Sequence, residues 1–80
     1  MKVNILLFGI SKDIVGKQKL ELELKDRITV ADFRKQLLEK YPELGSLNSL
    51  AIAINSEYAR DSNLIMANDE IALIPPVSGG

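Results

Sequence analysis

Residues 69–80 read Asp-Glu-Ile-Ala-Leu-Ile-Pro-Pro-Val-Ser-Gly-Gly, so a hydrophobic run stops at two prolines and a pair of glycines follows. Four consecutive apolar residues, 71–74, are typical of a strand that is covered on both faces. Proline fixes φ and lacks a backbone N–H, so Pro75 and Pro76 cannot extend this strand. The stretch predicts a folded domain over residues 1–74 and a C-terminal tail over residues 75–80.

A second apolar strand is predicted near the start of the chain, at residues 3–8. Its side chains form two apolar faces, Val3, Ile5 and Leu7 on one side and Leu6 and Phe8 on the other. Residues 19–25 then alternate leucine with charged residues, which is the pattern of a strand with one wet face. We expect these two strands to pair as a hairpin, with residues 9–18 as the loop between them.

A helix is predicted between Thr29 and Tyr41. Thr29 stands three residues before Asp32, so its hydroxyl can accept a hydrogen bond at the helix N-terminus. Apolar residues at helical spacing follow, namely Val30, Phe33, Leu37, Leu38 and Tyr41. Pro42 disfavours helical geometry at the residue before it, so the helix ends close to Tyr41. The apolar stripe is the face that we expect to cover a sheet.

The rest of the chain predicts further strands and turns. Residues 50–54 alternate large and small apolar side chains, and residues 58–59 form a short edge strand. Asn68 can adopt the left-handed conformation that a tight turn before the last strand requires. A right-handed crossover helix then places the first and last strands parallel at the centre of the sheet. The fold class is α+β, a β-grasp with a mixed sheet covered by one main helix. A ferredoxin-like arrangement needs a second full helix, and residues 56–67 are too rich in turns to supply it.

Composition excludes several functional classes. The chain has no Cys and no His, so it offers no thiol nucleophile, no imidazole base and no zinc site built from them. Its 10 basic and 11 acidic residues give a net charge of −1 without a basic patch, so we expect no nucleic-acid partner. The acidic residues of the turns are too sparse for a metal site. No apolar run approaches the ~20 residues of a membrane span, so we expect no membrane partner and a cytoplasmic location.

The tail is the candidate functional element. Its reactive group is the α-carboxylate of Gly80, and Gly79 and Gly80 can pass through a channel too narrow for other residues. Ser78 has no neighbouring base to activate it, so we interpret it as a small residue that fits the same channel. On the outer face of the sheet we expect an exposed apolar patch, formed by Leu6, Phe8 and Ile74, that binds a partner protein.

These residues resemble a known family. Residues 69–80 resemble the C-terminal signature of the small, sulfur-carrying subunit of molybdopterin synthase (MoaD type), a ubiquitin-like β-grasp protein. Matches elsewhere cover essentially the whole chain, at Phe8, Thr29-Val30, Tyr41-Pro42, Asn55 and Glu57-Tyr58. The chain departs from the family at Asn68, where glycine is common, and at Lys12-Asp13, where Arg-Glu is common. These departures concern partner contacts near two loops and leave the tail unaffected.

The resemblance implies a sulfur carrier that is not catalytic alone and binds no cofactor stably. Gly80 is expected to carry the adenylate and then the thiocarboxylate, while Gly79 and residues 75–78 (Pro75, Pro76, Val77, Ser78) thread a partner's active site. The implied partners are an E1-like activating enzyme that uses ATP, a sulfur donor system and the large synthase subunit, in a heterotetramer of two small and two large subunits. The sulfur acceptor is cyclic pyranopterin monophosphate, from which molybdopterin is made for the molybdenum cofactor.

Two other functions are compatible with the same fold and tail. The first is a sulfur carrier of another pathway, such as thiamine synthesis. The second is a ubiquitin-like protein modifier that is joined through Gly80 to lysine side chains of target proteins. Both carrier and modifier chemistry begin with the same adenylate, so the residues alone leave this choice open.

Overall fold

The computed structural model describes residues 1–46 and 50–75. Within these two ranges the chain forms seven strands, two α-helices and one 3₁₀ turn. In chain order they are β1 (Lys2–Leu7), α1 (Gly9–Val15), β2 (Lys19–Glu23), β3 (Ile28–Thr29), α2 (Val30–Lys40), the 3₁₀ turn (Pro42–Ser46), β4 (Ala51–Ile54), β5 (Glu57–Tyr58), β6 (Leu64–Ile65) and β7 (Glu70–Ile74). None of the helices in the described part of the chain is long and apolar enough to cross a membrane.

The main sheet has the strand order β2-β1-β7-β4-β5 among the described residues. Strands β1 and β7 are parallel neighbours, with Leu7 beside Leu73, and β4 pairs antiparallel with β7. A separate two-stranded sheet joins β3 and β6, with Ile28 opposite Ile65. The parallel pairing of the first and last strands confirms the predicted topology, and the fold is a β-grasp.

The core lies between the inner face of the main sheet and α2. Its largest side chains are fully or almost fully buried, and they include Ile5, Leu7, Phe33, Leu37, Ile52, Ile71 and Leu73. The sheet residues of this set alternate along β1, β4 and β7 with residues of the outer face, as period-2 strand geometry requires. The apolar stripe of α2 therefore packs on the sheet as predicted from its spacing.

The bounds of α2 also match the prediction. The Thr29 side-chain oxygen accepts a hydrogen bond from the backbone N–H of Asp32 at 3.2 Å, and Thr29 itself is extended, with φ −77° and ψ 157°. At the other end the N–H of Tyr41 donates to the carbonyl of Leu37 at 2.8 Å, just before Pro42. Thr29 and Pro42 thus mark the helix ends for the expected reasons.

The prediction of a loop over residues 9–18 is wrong, because α1 occupies Gly9–Val15. The two glycines that indicated a loop are the ends of this helix. Gly16 is left-handed at φ +82°, and its N–H donates to the carbonyl of Lys12 at 2.8 Å, which is a common way to end a helix. A seven-residue helix is marginal in isolation, so packing of Ile14 and Val15 on the core stabilises it. Strands β1 and β2 still pair antiparallel, as predicted.

Candidate partner-docking groove

One row of side chains crosses four strands on the outer face of the main sheet. Leu6 on β1 is beside Ala72 on β7, Ala72 is beside Ala53 on β4, and Ala53 is beside Tyr58 on β5. The two central positions of the row are alanines, while its two ends are large residues. This order of sizes makes the middle of the outer face concave.

The concavity is a groove of about 300 Å³. It is lined by Leu6, Phe8, Ala53, Ser56, Tyr58, Glu70, Ala72 and Ile74. Ala53 and Ala72 form its floor, while Phe8 and Tyr58 stand above it with 49% and 75% of their surfaces exposed. Exposed large apolar side chains beside a concave apolar floor are the features that protein interfaces bury.

The position of Phe8 is fixed by the turn that joins β1 to α1. Phe8 precedes the first residue of α1 and is extended, with φ −121° and ψ 153°. The hydroxyl of Ser11, which is fully buried, donates to the Phe8 carbonyl at 2.5 Å. Because this bond holds the Phe8 backbone at the end of β1, the ring is presented at the edge of the groove.

The opposite end of the groove is held by hydrogen bonds between two turns. The Asn55 side chain donates to Oδ1 of Asp69 at 3.0 Å and accepts from the N–H of Glu70 at 2.9 Å. Asp69 also accepts from the N–H of Met66 at 2.7 Å through Oδ2. Asn68 has the predicted left-handed conformation, with φ +72°. These bonds fix where β7 begins and therefore where Ala72 lies.

The three residues predicted to bind a partner, Leu6, Phe8 and Ile74, line this single groove. Ala53, Ala72 and Tyr58 also line the groove and were not among the residues predicted to bind a partner. A signal for the two alanines is present, because residues 50–54 alternate large with small side chains and the large ones point inward. The pairing of Tyr58 with Ala53 needs the β4–β5 register, which the sequence does not specify on its own.

The predicted tail residues Pro76, Val77, Ser78, Gly79 and Gly80 lie outside the described residues. Pro75, predicted as the first tail residue, is described and is buried. Its Cγ would lie 3.2 Å from a Cβ atom placed on Gly9, so the Pro75 ring packs against the first turn of α1. Pro75 is therefore in contact with the folded domain, directly after the groove residue Ile74.

The described groove has an apolar floor and few polar groups. Its polar groups are the hydroxyls of Ser56 and Tyr58 and the carboxylate of Glu70. Across residues 1–46 and 50–75, no three or more acidic side chains are grouped so that they could hold a metal ion. A groove of this kind can dock a partner's apolar side chain and place the chain segment after Ile74 against that partner.

The sequence and fold are similar to those of known proteins. A model described as the ThiS family matches residues 5–80. A molybdopterin synthase sulfur carrier subunit from Dictyostelium discoideum is 42% identical over 81 residues, with 96% of this chain and 94% of the relative covered. The crystal structure of SAMP1, a small archaeal modifier protein from Haloferax volcanii, is 27% identical with a TM-score of 0.85, and both chains are covered completely. A complex of subunits 1 and 2 of molybdopterin-converting factor from Helicobacter pylori contains a chain that is 27% identical with a TM-score of 0.68, again with complete coverage of both.

Proposed function

We propose that this chain, which belongs to the ThiS family, is the sulfur-carrier subunit of a molybdopterin synthase and acts in the cytoplasm. It is a small partner subunit and not a catalyst alone. The observation that carries the proposal is its similarity, over almost its full length, to a sulfur carrier subunit of that synthase. Relatives from Arabidopsis thaliana and Chlamydomonas reinhardtii have the same name.

In this proposal the reacting atom is the carboxyl carbon of Gly80. A partner enzyme of the E1-like class joins the Gly80 carboxylate to AMP from ATP and releases pyrophosphate. Sulfide-level sulfur from a donor then attacks the acyl carbon, AMP leaves, and a thiocarboxylate remains. Transfer of that sulfur to cyclic pyranopterin monophosphate, with water supplying the replacement oxygen, returns Gly80 to a carboxylate. Adenylation supplies the leaving group that a free carboxylate lacks, and every catalytic side chain belongs to a partner.

The groove gives this chemistry a docking surface. Ordering the four residues 77–80 in a partner's channel costs about 4–8 kcal/mol of backbone entropy, which contacts of two glycines do not offset. Binding of Phe8, Leu6 and Ile74 by the large synthase subunit supplies the missing free energy. The complex of subunits 1 and 2 from Helicobacter pylori supports a large-subunit partner, and we propose a heterotetramer with two copies of each.

A second candidate function is protein modification through Gly80. Its support is the structural similarity to SAMP1, with a TM-score of 0.85 and complete coverage of both chains. In that case the same adenylate ends as an isopeptide bond to a lysine of a target protein. The two functions differ in the final state of the Gly80 carboxyl group, so that state distinguishes them.

The test is to purify the untagged protein from cells and measure the intact mass of its C-terminus and the masses of copurifying chains. Replacement of one oxygen by sulfur at Gly80, together with a copurified large subunit, is the expected result. Conjugates of this chain to many proteins, without any thiocarboxylate, would contradict the sulfur-carrier proposal and favour modification.

Changes at the C-terminal residue Gly80 should have the largest effect on sulfur transfer. We expect a chain without Gly80, or with one residue added after it, to lose sulfur transfer completely because the reacting carboxyl group is absent or displaced. Its far-ultraviolet circular dichroism and unfolding midpoint should stay at the values of the unaltered chain, since the β-grasp elements end at Ile74. Sulfur transfer at the original rate by either variant would refute the role of Gly80.

A further inference from the structure

The chain segments that follow β1 and β7 lie next to each other at Gly9 and Pro75. The two strands are parallel, and Leu7 is beside Leu73. Two residues after Leu7 and Leu73 in the chain are Gly9, the first residue of α1, and Pro75, which follows β7. A Cβ atom on Gly9 would lie 3.2 Å from Cγ of Pro75 and 4.0 Å from its Cδ. Because Gly9 carries only hydrogen there, the Pro75 ring can rest on the first turn of α1.

Both sides of this contact have limited freedom to move. Gly9 has φ +56°, a conformation that residues with a Cβ adopt with strain. The preceding carbonyl of Phe8 is held by the buried Ser11 hydroxyl, so the backbone around Gly9 is tied to α1. The Pro75 ring is rigid and buried, and it follows directly on the paired strand β7.

We infer that Gly9 is a positioning residue, whose missing side chain seats Pro75 and thereby sets the direction in which the chain leaves β7. The inference rests on the proposed function, in which residues 76–80 deliver the Gly80 carboxyl group to a partner. A methyl group at residue 9 forces Pro75 to shift by a few tenths of an ångström, or to tilt. Residues 76–80 continue from Pro75 in the chain, so a change of direction at Pro75 changes where the segment that carries the Gly80 carboxyl group begins.

The chain offers a matched control for the strain at Gly9. Gly16 also has a positive φ, +82°, at the other end of α1, and a Cβ placed there would meet nothing within 4 Å. Gly16→Ala therefore imposes backbone strain on the same helix without touching Pro75. Gly9→Ala imposes strain and also displaces Pro75. A difference in sulfur-transfer rate between the two variants therefore measures the effect of displacing Pro75, separately from the effect of backbone strain.

The experiment compares the unaltered chain, Gly9→Ala and Gly16→Ala in single-turnover sulfur transfer with a saturating amount of the large subunit. We expect the rate to fall roughly 10- to 100-fold in Gly9→Ala, because displacement of a reacting group by about 1 Å has effects of this size. The Kd for the large subunit should change by less than about threefold, since the groove is intact. Gly16→Ala should transfer sulfur at the original rate. Equal rates in Gly9→Ala and the unaltered chain, or equal losses in both variants, overturn the inference.

A second variant and a second measurement separate this inference from the proposed function. Pro75→Ala removes the ring and leaves Gly9 unstrained. We expect its transfer rate to fall roughly 10- to 100-fold as well. An unchanged rate would contradict the role of the contact between Gly9 and Pro75. The Cα–Hα and Cγ–Hγ residual dipolar couplings of Pro75 report the direction of this residue without any sulfur chemistry. They should change in Gly9→Ala and not in Gly16→Ala. Unchanged couplings in Gly9→Ala overturn the inference, whereas failure of the unaltered chain to transfer sulfur contradicts only the proposed function.

Discussion

The two faces of the main sheet are made by alternate residues of the same strands, yet they use side chains of different sizes. On the inner face Leu7, Leu73 and Ile52 form a row across β1, β7 and β4, and each is at most 2% exposed. On the outer face the corresponding row contains Leu6 on β1, Ala72 on β7 and Ala53 on β4, so its centre is small. The large side chains of the inner row fill the core against α2, whereas the small side chains of the outer row leave the groove open.

Because of this difference, neighbouring residues of one strand serve different purposes, one stabilising the core and the next forming the groove. Because the side-chain period of a strand is two, a substitution at Leu73 acts on the core, while one at Ala72 acts on the groove. The groove exists because the side chains of its floor, Ala53 and Ala72, are small. Substitutions on the two faces should therefore change different measurements.

The largest expected effect on folding is that of Leu73→Ala. Leu73 is fully buried between β1 and β4, so the substitution removes its apolar contacts and leaves a cavity. We expect the free energy of unfolding to fall by about 2–5 kcal/mol, measured by urea denaturation.

Leu6→Ala is the matched control, since it makes the same truncation on the adjacent strand but on the outer face. Leu6 is half-buried, and we expect a loss of about 1 kcal/mol or less, together with weaker binding of the large subunit. Equal losses of stability in the two variants would show that the outer face belongs to the core, and the separation of the two faces would be wrong.

Phe8→Glu should give the next largest effect, on partner binding. Phe8 lines the groove, and a charge placed there must be desolvated when the partner docks. We expect the Kd for the large subunit to rise roughly 30-fold or more, about 2 kcal/mol, which is the size of a hot-spot loss. Isothermal titration calorimetry measures it, and the free energy of unfolding should change little.

Ile10→Glu is the control for Phe8→Glu. Ile10 is 50% exposed and Phe8 is 49% exposed, but Ile10 does not line the groove. The same charge at nearly the same exposure should change the Kd by less than about threefold. If both variants weakened binding equally, docking would extend over α1 and the assignment of the groove as the partner site would fail.

Much of this arrangement follows from residue patterns. The apolar runs in β1 and β7 predict two central strands, and Thr29 and Pro42 predict the ends of α2, because caps and prolines act on the backbone next to them. Alternation also places Leu6, Phe8 and Ile74 opposite the core, and the structure has them there, while their role in partner binding stays a prediction. These predictions succeeded where the physical cause is local to the sequence.

The parts that were missed depend on contacts between distant residues. Helix α1 is short and is stabilised by packing on the core, so its two glycines suggested a loop when they mark its ends. The groove floor needs the register that brings Ala53 beside Ala72, from strands far apart in the chain. The burial of Pro75 depends on Gly9, 66 positions earlier in the sequence. Such pairings come from the assembled sheet and have no signature in either segment.

The smallest expected effect tests whether the inner layer can be weakened without affecting the groove. The Thr29 side-chain oxygen caps α2 by accepting from the N–H of Asp32, and α2 covers the inner face only. Thr29→Val keeps the branched shape that pairs with Leu64 in the small sheet but removes the acceptor. We expect it to lower the free energy of unfolding by about 1 kcal/mol. Thr29→Ser retains the hydroxyl, so its free energy of unfolding should fall by less.

In both variants the Kd for the large subunit should equal that of the unaltered chain, because the sheet itself holds the row of Leu6, Ala72, Ala53 and Tyr58 in place. A weaker Kd in Thr29→Val alone would mean that α2 transmits its packing through the sheet to the groove, and that the two faces are coupled.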